Sequence, residues 1–418
     1  MGGRESLGDR RRVETVICWA LTVGVVFQVA QRFAKTGYDL SEYGRSLWYV
    51  TYRFGFVRRG LAGEMLRIAL GHTPSLGAVD FVQNVVAGVM LGAAIALVVL
   101  LCRQRTVIAY AAAALLVVAP FGLDTVGGQR RPDLFGYFLL AMLGIWAATR
   151  RVNAIVLGLV GGVLLGVSTL FSEASPLIIG PWLLLVVVAS ARARARSRSE
   201  PWCAMVLCTL PSVLALGLLA ATGRGSSQTV ASLEGAAPPE IQAHGSVFPY
   251  LNDTFRSSFE RVVHGPGNPP LSILVGTVFA VLLLFCAGNC FSYARAVWTW
   301  ILPTRFLRVA WASGTLAAAI VLFALGFDWL RWISSIGFAA LLAGGAIVLL
   351  DGRVLDGGRS ARAPDREIWH RSVPSEVSVS IPGLLTLAVA TYLLVLAPLP
   401  NFIKNVGDTA QTLLSVPR

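Results

Sequence analysis

Eleven apolar runs, each about twenty residues long, dominate the chain, and each can cross the hydrocarbon core of a bilayer as a helix. They lie at 14–34, 79–101, 106–122, 134–149, 153–171, 174–190, 202–222, 271–292, 309–326, 332–350 and 382–399. In lipid, only helices and closed barrels satisfy every backbone polar group. These runs are continuously apolar rather than alternating, which excludes the strands of an outer-membrane barrel. Only 14% of the 418 residues are charged and 55% are hydrophobic, with a mean hydropathy of +0.68. Soluble domains carry about 25% charged residues. The expected fold is all-α, a polytopic transmembrane helical bundle.

The connections set an expected orientation. Cytoplasmic loops collect Lys and Arg. Placing the N-terminus inside puts 20 basic and 9 acidic residues on the inner side and 15 basic and 13 acidic on the outer side. The net charge of +13 therefore concentrates where topology demands it, which argues against a nucleic-acid partner. The basic start Arg10-Arg11-Arg12 leads into an apolar run with no small-residue cleavage site, so that run reads as a retained first span. The expected organisation is a cytoplasmic segment 1–13, a transmembrane module 14–222 with a first outer loop 35–78, and an outer loop 223–270. A second transmembrane module 271–399 with a cytoplasmic loop 351–381 and an outer tail 400–418 complete it. Lys35 and Lys404 are the only lysines, and the Ala, Gly, Val and Arg bias points to a high-GC bacterium. The expected location is a multi-pass protein of the bacterial inner (plasma) membrane, in contact with membrane lipids.

The first outer loop is rich in aromatics, with Leu40, Tyr43, Leu47 and Val50 at helical spacing. Amphipathic interfacial helices are expected there, with Leu47 on the apolar face and Ser46 on the exposed one. The second long loop is rich in Gly, Ser and Pro, then turns aromatic and charged at "HGSVFPYLNDTFRSSFERVVHG", and reads as a flexible loop followed by a short surface helix.

Ionisable residues are nearly absent from the middles of the runs, where coupled transporters place theirs. They gather instead at the expected outer edge. "YRFGFVRRGLAG" holds Arg53, Arg58 and Arg59, which suit a clamp for a lipid-linked phosphate or pyrophosphate on the side where arginine is disfavoured, with snorkelling to lipid phosphates as the alternative. "GLDTVGGQRRPDLFGY" holds Asp124, Arg130, Arg131 and Asp133; "LFSEASP" holds Glu173; "GFDWLRWI" holds Asp328 and Arg331. Arg53, Arg58, Arg59, Arg130, Arg131, Glu173, Asp328 and Arg331 are the candidate substrate-binding residues. Asp39, in "TGYDLSEY", suits a general base for an acceptor hydroxyl, and equally a helix cap with Glu42 completing a capping box. Asp124 and Asp133 are the further candidate catalytic acids. The four histidines are scattered, so no metal site is assigned, and neither a Walker A motif nor a Rossmann fingerprint calls for a cofactor.

The many spans, the outer loop after the first span with its interfacial helices, and the acid early in that loop resemble, by layout over the first half of the chain, the GT-C superfamily of integral-membrane glycosyltransferases. The "FVRRGL" and "DWLRW" stretches are similar to ones in bacterial polysaccharide-assembly membrane proteins. The GT-C resemblance implies a polyprenyl-phosphate-linked sugar as donor and a glycan or lipid acceptor, with Asp39 as the first-loop acid and Asp124 or Asp133 as second-loop acids. The Asp-x-Asp pair of some members is absent. A transporter or flippase of lipid-linked glycan, or an O-antigen-type polymerase or ligase, would use the same outer arginines.

Overall fold

In the computed structural model, the described residues are 42–104, 107–118, 131–150, 152–194, 197, 199–242, 246–264, 298–325 and 329–356. Among them the fold is all-helical and without strands. The helices are α1 (Glu42–Ser46), α2 (Leu61–Leu70), α3 (Leu76–Arg103), α4 (Val107–Val118), α5 (Leu134–Thr149), α6 (Ala154–Phe171) and α7 (Ser175–Ile178). They continue with α8 (Gly180–Arg194), α9 (Glu200–Thr222), α10 (Ser227–Ala236), α11 (Phe255–His264), α12 (Arg305–Leu325) and α13 (Trp329–Asp356).

Five stretches are long and apolar enough to cross a membrane: α3, α6, α9, and segments 305–324 and 334–351 of α12 and α13. They coincide with runs read from the sequence, and α5 has the bounds expected of it. The run 174–190 is not one helix. The helix is interrupted at Ile179, so a single turn, α7, precedes α8. Pro176 favours a fresh start there, because it supplies no N–H to a preceding turn. The runs at 14–34, 271–292 and 382–399, and the N-terminal orientation, lie outside the described residues.

Two compact units divide the chain. In the first, α6 packs along α9, and the reason is legible residue by residue. Gly158 and Gly162 present their Cα atoms to the backbone of Ala204, Leu207 and Cys208, and a Cβ on either would collide with those carbonyls. Without a hydrophobic drive between helices in lipid, small residues permitting close backbone approach are what holds a pair together. The C-terminal part of α13 wedges in likewise, with Gly345 against Leu97, Leu101 and Leu116, and Tyr137 beside Phe338 at 5.4 Å. In the second unit α11 packs on α12, and Trp298 meets Trp311 edge-on at 4.7 Å.

The long connections differ from the expected interfacial helices and flexible loop. Among its described residues the first is helical over α1 and α2, ahead of α3, and Leu47, Trp48, Tyr49 and Val50 are buried in protein. They form one hydrophobic cluster with Val57 and Leu66 of the same connection and with Leu233, Val247, Phe248 and Leu251 of the second. Ser46, expected on the exposed face, is fully buried: its hydroxyl donates to the Tyr43 carbonyl at 2.9 Å and accepts from Val247 N–H at 2.8 Å. Several described Gly, Ser and Pro residues of the second connection serve structure. Ser226 caps α10, accepting from Thr229 N–H at 3.0 Å. Gly225 allows close approach to Val57 and Val230, and Pro238-Pro239 opens a 3-10 turn. Composition cannot distinguish such uses from flexibility, because the partner lies about 200 residues away in the chain.

Candidate functional site

The three arginines of "RFGFVRRG" do not form one clamp. Gly55 (φ +127°) and Arg59 (φ +64°) reverse the chain locally, and the side chains diverge. A left-handed arginine is strained and persists only where its surroundings fix it. Here Arg58 N–H donates to the Gly223 carbonyl at 2.8 Å, and Gly60 lies under the Tyr52 ring, where a Cβ would not fit.

Arg59 faces Glu173. Its Nε lies 2.9 and 2.8 Å from the two carboxylate oxygens, Nη2 donates to Oε1, and Nη1 donates to the Tyr43 hydroxyl at 2.6 Å. Glu173 reaches this point because α6 stops at Phe171, and the break before α7 turns the carboxylate towards the first connection. Burial alone would raise the Glu173 carboxyl, but the Arg59 charge and hydrogen bonds outweigh it and hold the group at about 2. Against the same burial, Glu173 and Tyr43 hold Arg59 well above the usual guanidinium value. Glu173 is thus a fixed anion that positions Arg59.

Tyr43 is the hub. Arg131, just before α5, stacks its guanidinium over the Tyr43 ring at 4.8 Å. Tyr250 meets the same ring edge-on at 6.0 Å. Arg58 donates to the carbonyls of Tyr250 and Asp253. Arg58, Arg59, Arg131 and Glu173, drawn from three connections, therefore gather around one tyrosine. Asp133 precedes α5 without capping it through its side chain.

The other described candidates are Arg53 and Arg331. Arg53 leans over Phe54 at 5.3 Å and lines a separate cleft. Arg331 lies in the first turn of α13, in the second unit. Asp39, Asp124, Arg130 and Asp328 lie outside the described residues. No group of three or more His, Cys, Asp or Glu side chains is placed to hold a metal among the described residues.

Sequence reading missed the hub and several ties around it. Arg45 forms a bidentate pair with Asp80 at 2.9 and 3.0 Å, fastening α1 to α3. Glu64 accepts from Tyr52 N–H at 3.1 Å and from both Nε and Nη2 of Arg67, at 3.0 and 2.6 Å. The i,i+3 spacing of Glu64 and Arg67 was the available signal; nothing local pairs Arg45 with Asp80 or Tyr43 with Arg131.

The cluster and most of the helices around it fall within a stretch, residues 15–236, that matches the family model described as "Uncharacterised membrane protein Rv1490". The chain belongs to this family. Mycobacterial relatives include "Uncharacterized protein Rv1490" of Mycobacterium tuberculosis and "Uncharacterized protein Mb1527" of Mycobacterium bovis, each 30% identical over 179 residues. The shared stretch spans 41% of this chain and 40% of each relative's length. No solved structure matches the chain. Membership in a bacterial membrane-protein family agrees with the membrane-length helices.

Proposed function

We propose that this chain is a plasma-membrane glycosyltransferase that moves a sugar from a polyprenyl-phosphate donor to a glycan or lipid acceptor on the outer face. The observation that carries the reading is the gathering of Arg58, Arg59, Arg131 and Glu173 around Tyr43. Arg59 has five N–H donors, of which Glu173 and Tyr43 engage one each on Nε, Nη1 and Nη2. Among the described residues one N–H on each Nη remains for a phosphate oxygen, and the side chain is 23% exposed. Strain at Arg59 fits a preorganised donor, which stabilises a leaving phosphate without reorganising during transfer.

Asp39, four positions ahead of Tyr43 in the chain, is the proposed base for the acceptor hydroxyl, and a single displacement inverts the anomeric centre. Asp124 and Asp133 flank the arginines of the connection before α5 and complete the proposed set of acids. Arg103, Arg150, Arg192 and Arg194 cluster at the ends of α3, α5 and α8 remote from Tyr43, which supports an outer position for the hub. The proposed fold keeps eleven spans with the N-terminus inside.

The test is transfer from a panel of radiolabelled polyprenyl-phosphate sugars by the purified protein in nanodiscs. Transfer to an added acceptor is expected with one of them. Donor binding without transfer, together with movement of lipid-linked glycan across proteoliposomes, would replace the enzyme by the transporter reading.

A further inference from the structure

The two sides of α3 are unlike. Met90, Ala93, Ala94, Leu97 and Leu101 are buried in the bundle. The other side is uncovered among the described residues. It carries Asn84, Gly88, Gly92 and Ala96, each about one helical turn from the next and all exposed. A Cβ at Gly88 or Gly92 would meet nothing within 4 Å.

This is not a face built for lipid. α9 shows such a face, with the bulky Val206, Leu210, Val213 and Leu214 turned outward. On α3 a groove of small residues leaves the backbone uncovered, and Asn84 makes no hydrogen bond with any described residue. At 1.5 Å per residue, Asn84 lies about 8 Å from the middle of α3. That is inside a hydrocarbon half-layer of about 15 Å. An amide left unpaired there is costly. Small residues four apart, with an amide in the same row, are what a second transmembrane helix packs on. The chain uses the same spacing where Gly158 and Gly162 meet the backbone of α9.

We infer that the apolar run 14–34 docks on this face of α3 as an antiparallel helix. The described chain begins beside that face. Glu42 opens α1, which is fastened to the start of α3 by Arg45 on Asp80 and by the Gln83 amide on the Gly44 carbonyl at 3.0 Å. Residues 35–41 bridge at most about 25 Å, so the run must end close to α3. The antiparallel sense follows from the connection between them, where α1 and α2 are too short to cross a membrane. The run carries Ala20, Gly24 and Gln28 at the spacing of the α3 row. Gln28 lies six residues from the end of its run and Asn84 five from the start of 79–101, so the two amides come to one depth. Gln28 then meets Asn84, Gly24 meets Gly88 and Ala20 meets Gly92, amide to amide and small to small. Neither 271–292 nor 382–399, the other apolar runs outside the described residues, has an amide four residues from a small one.

The test is disulfide cross-linking of the full chain in bacterial membranes, in a cysteine-free background, read by uptake of a polyethylene-glycol maleimide that adds mass to each free thiol. Gln28→Cys with Asn84→Cys should oxidise within one chain and take up no reagent at monomer mass. Ala20→Cys with Gly92→Cys, which keeps both amides, should do the same. Gln28→Cys with Leu214→Cys, on the outward face of α9, should take up reagent at both thiols. Gly88→Ala keeps the row small, whereas Gly88→Leu fills the groove and should abolish the disulfide in both pairs. Reagent uptake by both pairs, a disulfide found only between two chains, equal cross-linking to Leu214→Cys, or a disulfide undiminished by Gly88→Leu overturns the inference.

Discussion

At the scale of single residues, Arg59 and Glu173 are a coupled pair with an acid-sensitive contribution to stability. Glu173 sits at about 2 in the folded protein against an ordinary 4.5. A depressed carboxyl stabilises fully above its unfolded value and loses that contribution as pH falls through the folded one. Melting temperature in detergent should therefore fall between about pH 4.5 and pH 2, and Glu173→Gln should flatten part of that fall. At neutral pH the same change should cost about 2–3 kcal/mol, toward the lower end for a broken pair because both side chains keep about a quarter of their exposure. An unchanged acid profile in Glu173→Gln would mean that the pair contributes nothing. Arg53, Arg58 and Arg59 fall within seven positions, so their spacing alone suggests one clamp. The reversal at Gly55 and Arg59 is not visible there, since left-handed backbone at an arginine has no local signal.

At the scale of elements, the helices α3, α5, α6, α9, α12 and α13 were readable because continuous apolar runs need no partner to be recognised. The fold of the two long connections was not, because its cluster joins Trp48 and Val50 to Phe248 and Leu251 across the chain. Phe248 is fully buried there. Phe248→Ala should destabilise by about 3–5 kcal/mol, seen as protease cleavage of both connections together while the spans stay intact. Cleavage of only one would contradict a shared core. The α6–α9 contact makes a second prediction. Gly162→Ala drives a methyl into the Leu207 carbonyl, whereas Gly88→Ala in α3 meets nothing within 4 Å. The first should lower stability by about 1–3 kcal/mol, and the second should leave it unchanged or raise it slightly, since alanine favours a helix. Thermal unfolding of both in detergent compares them directly.

For the whole molecule, the hub and the arginine-bearing helix ends should face opposite sides of the membrane. In a cysteine-free background, Gln228→Cys, exposed on α10, should react with a membrane-impermeant thiol reagent in intact cells. Arg150→Cys, exposed after α5, should react only after permeabilisation. The reverse pattern would put the hub inside and remove any outer-face substrate.

The central claim is that Arg59 is a fixed phosphate donor at the hub. Affinity of the nanodisc-embedded protein for polyprenyl-phosphate sugar tests it most directly, measured for the natural chain, Arg59→Lys and Tyr43→Phe. Lysine keeps the charge but loses the planar fork that holds Glu173 and a phosphate together. The account predicts a loss of tenfold or more in Arg59→Lys, and a smaller loss in Tyr43→Phe, which keeps the ring for Arg131 but frees one Arg59 donor. Unchanged donor affinity in a folded Arg59→Lys protein would contradict it, leaving the arginine a structural tie between the first connection and Glu173.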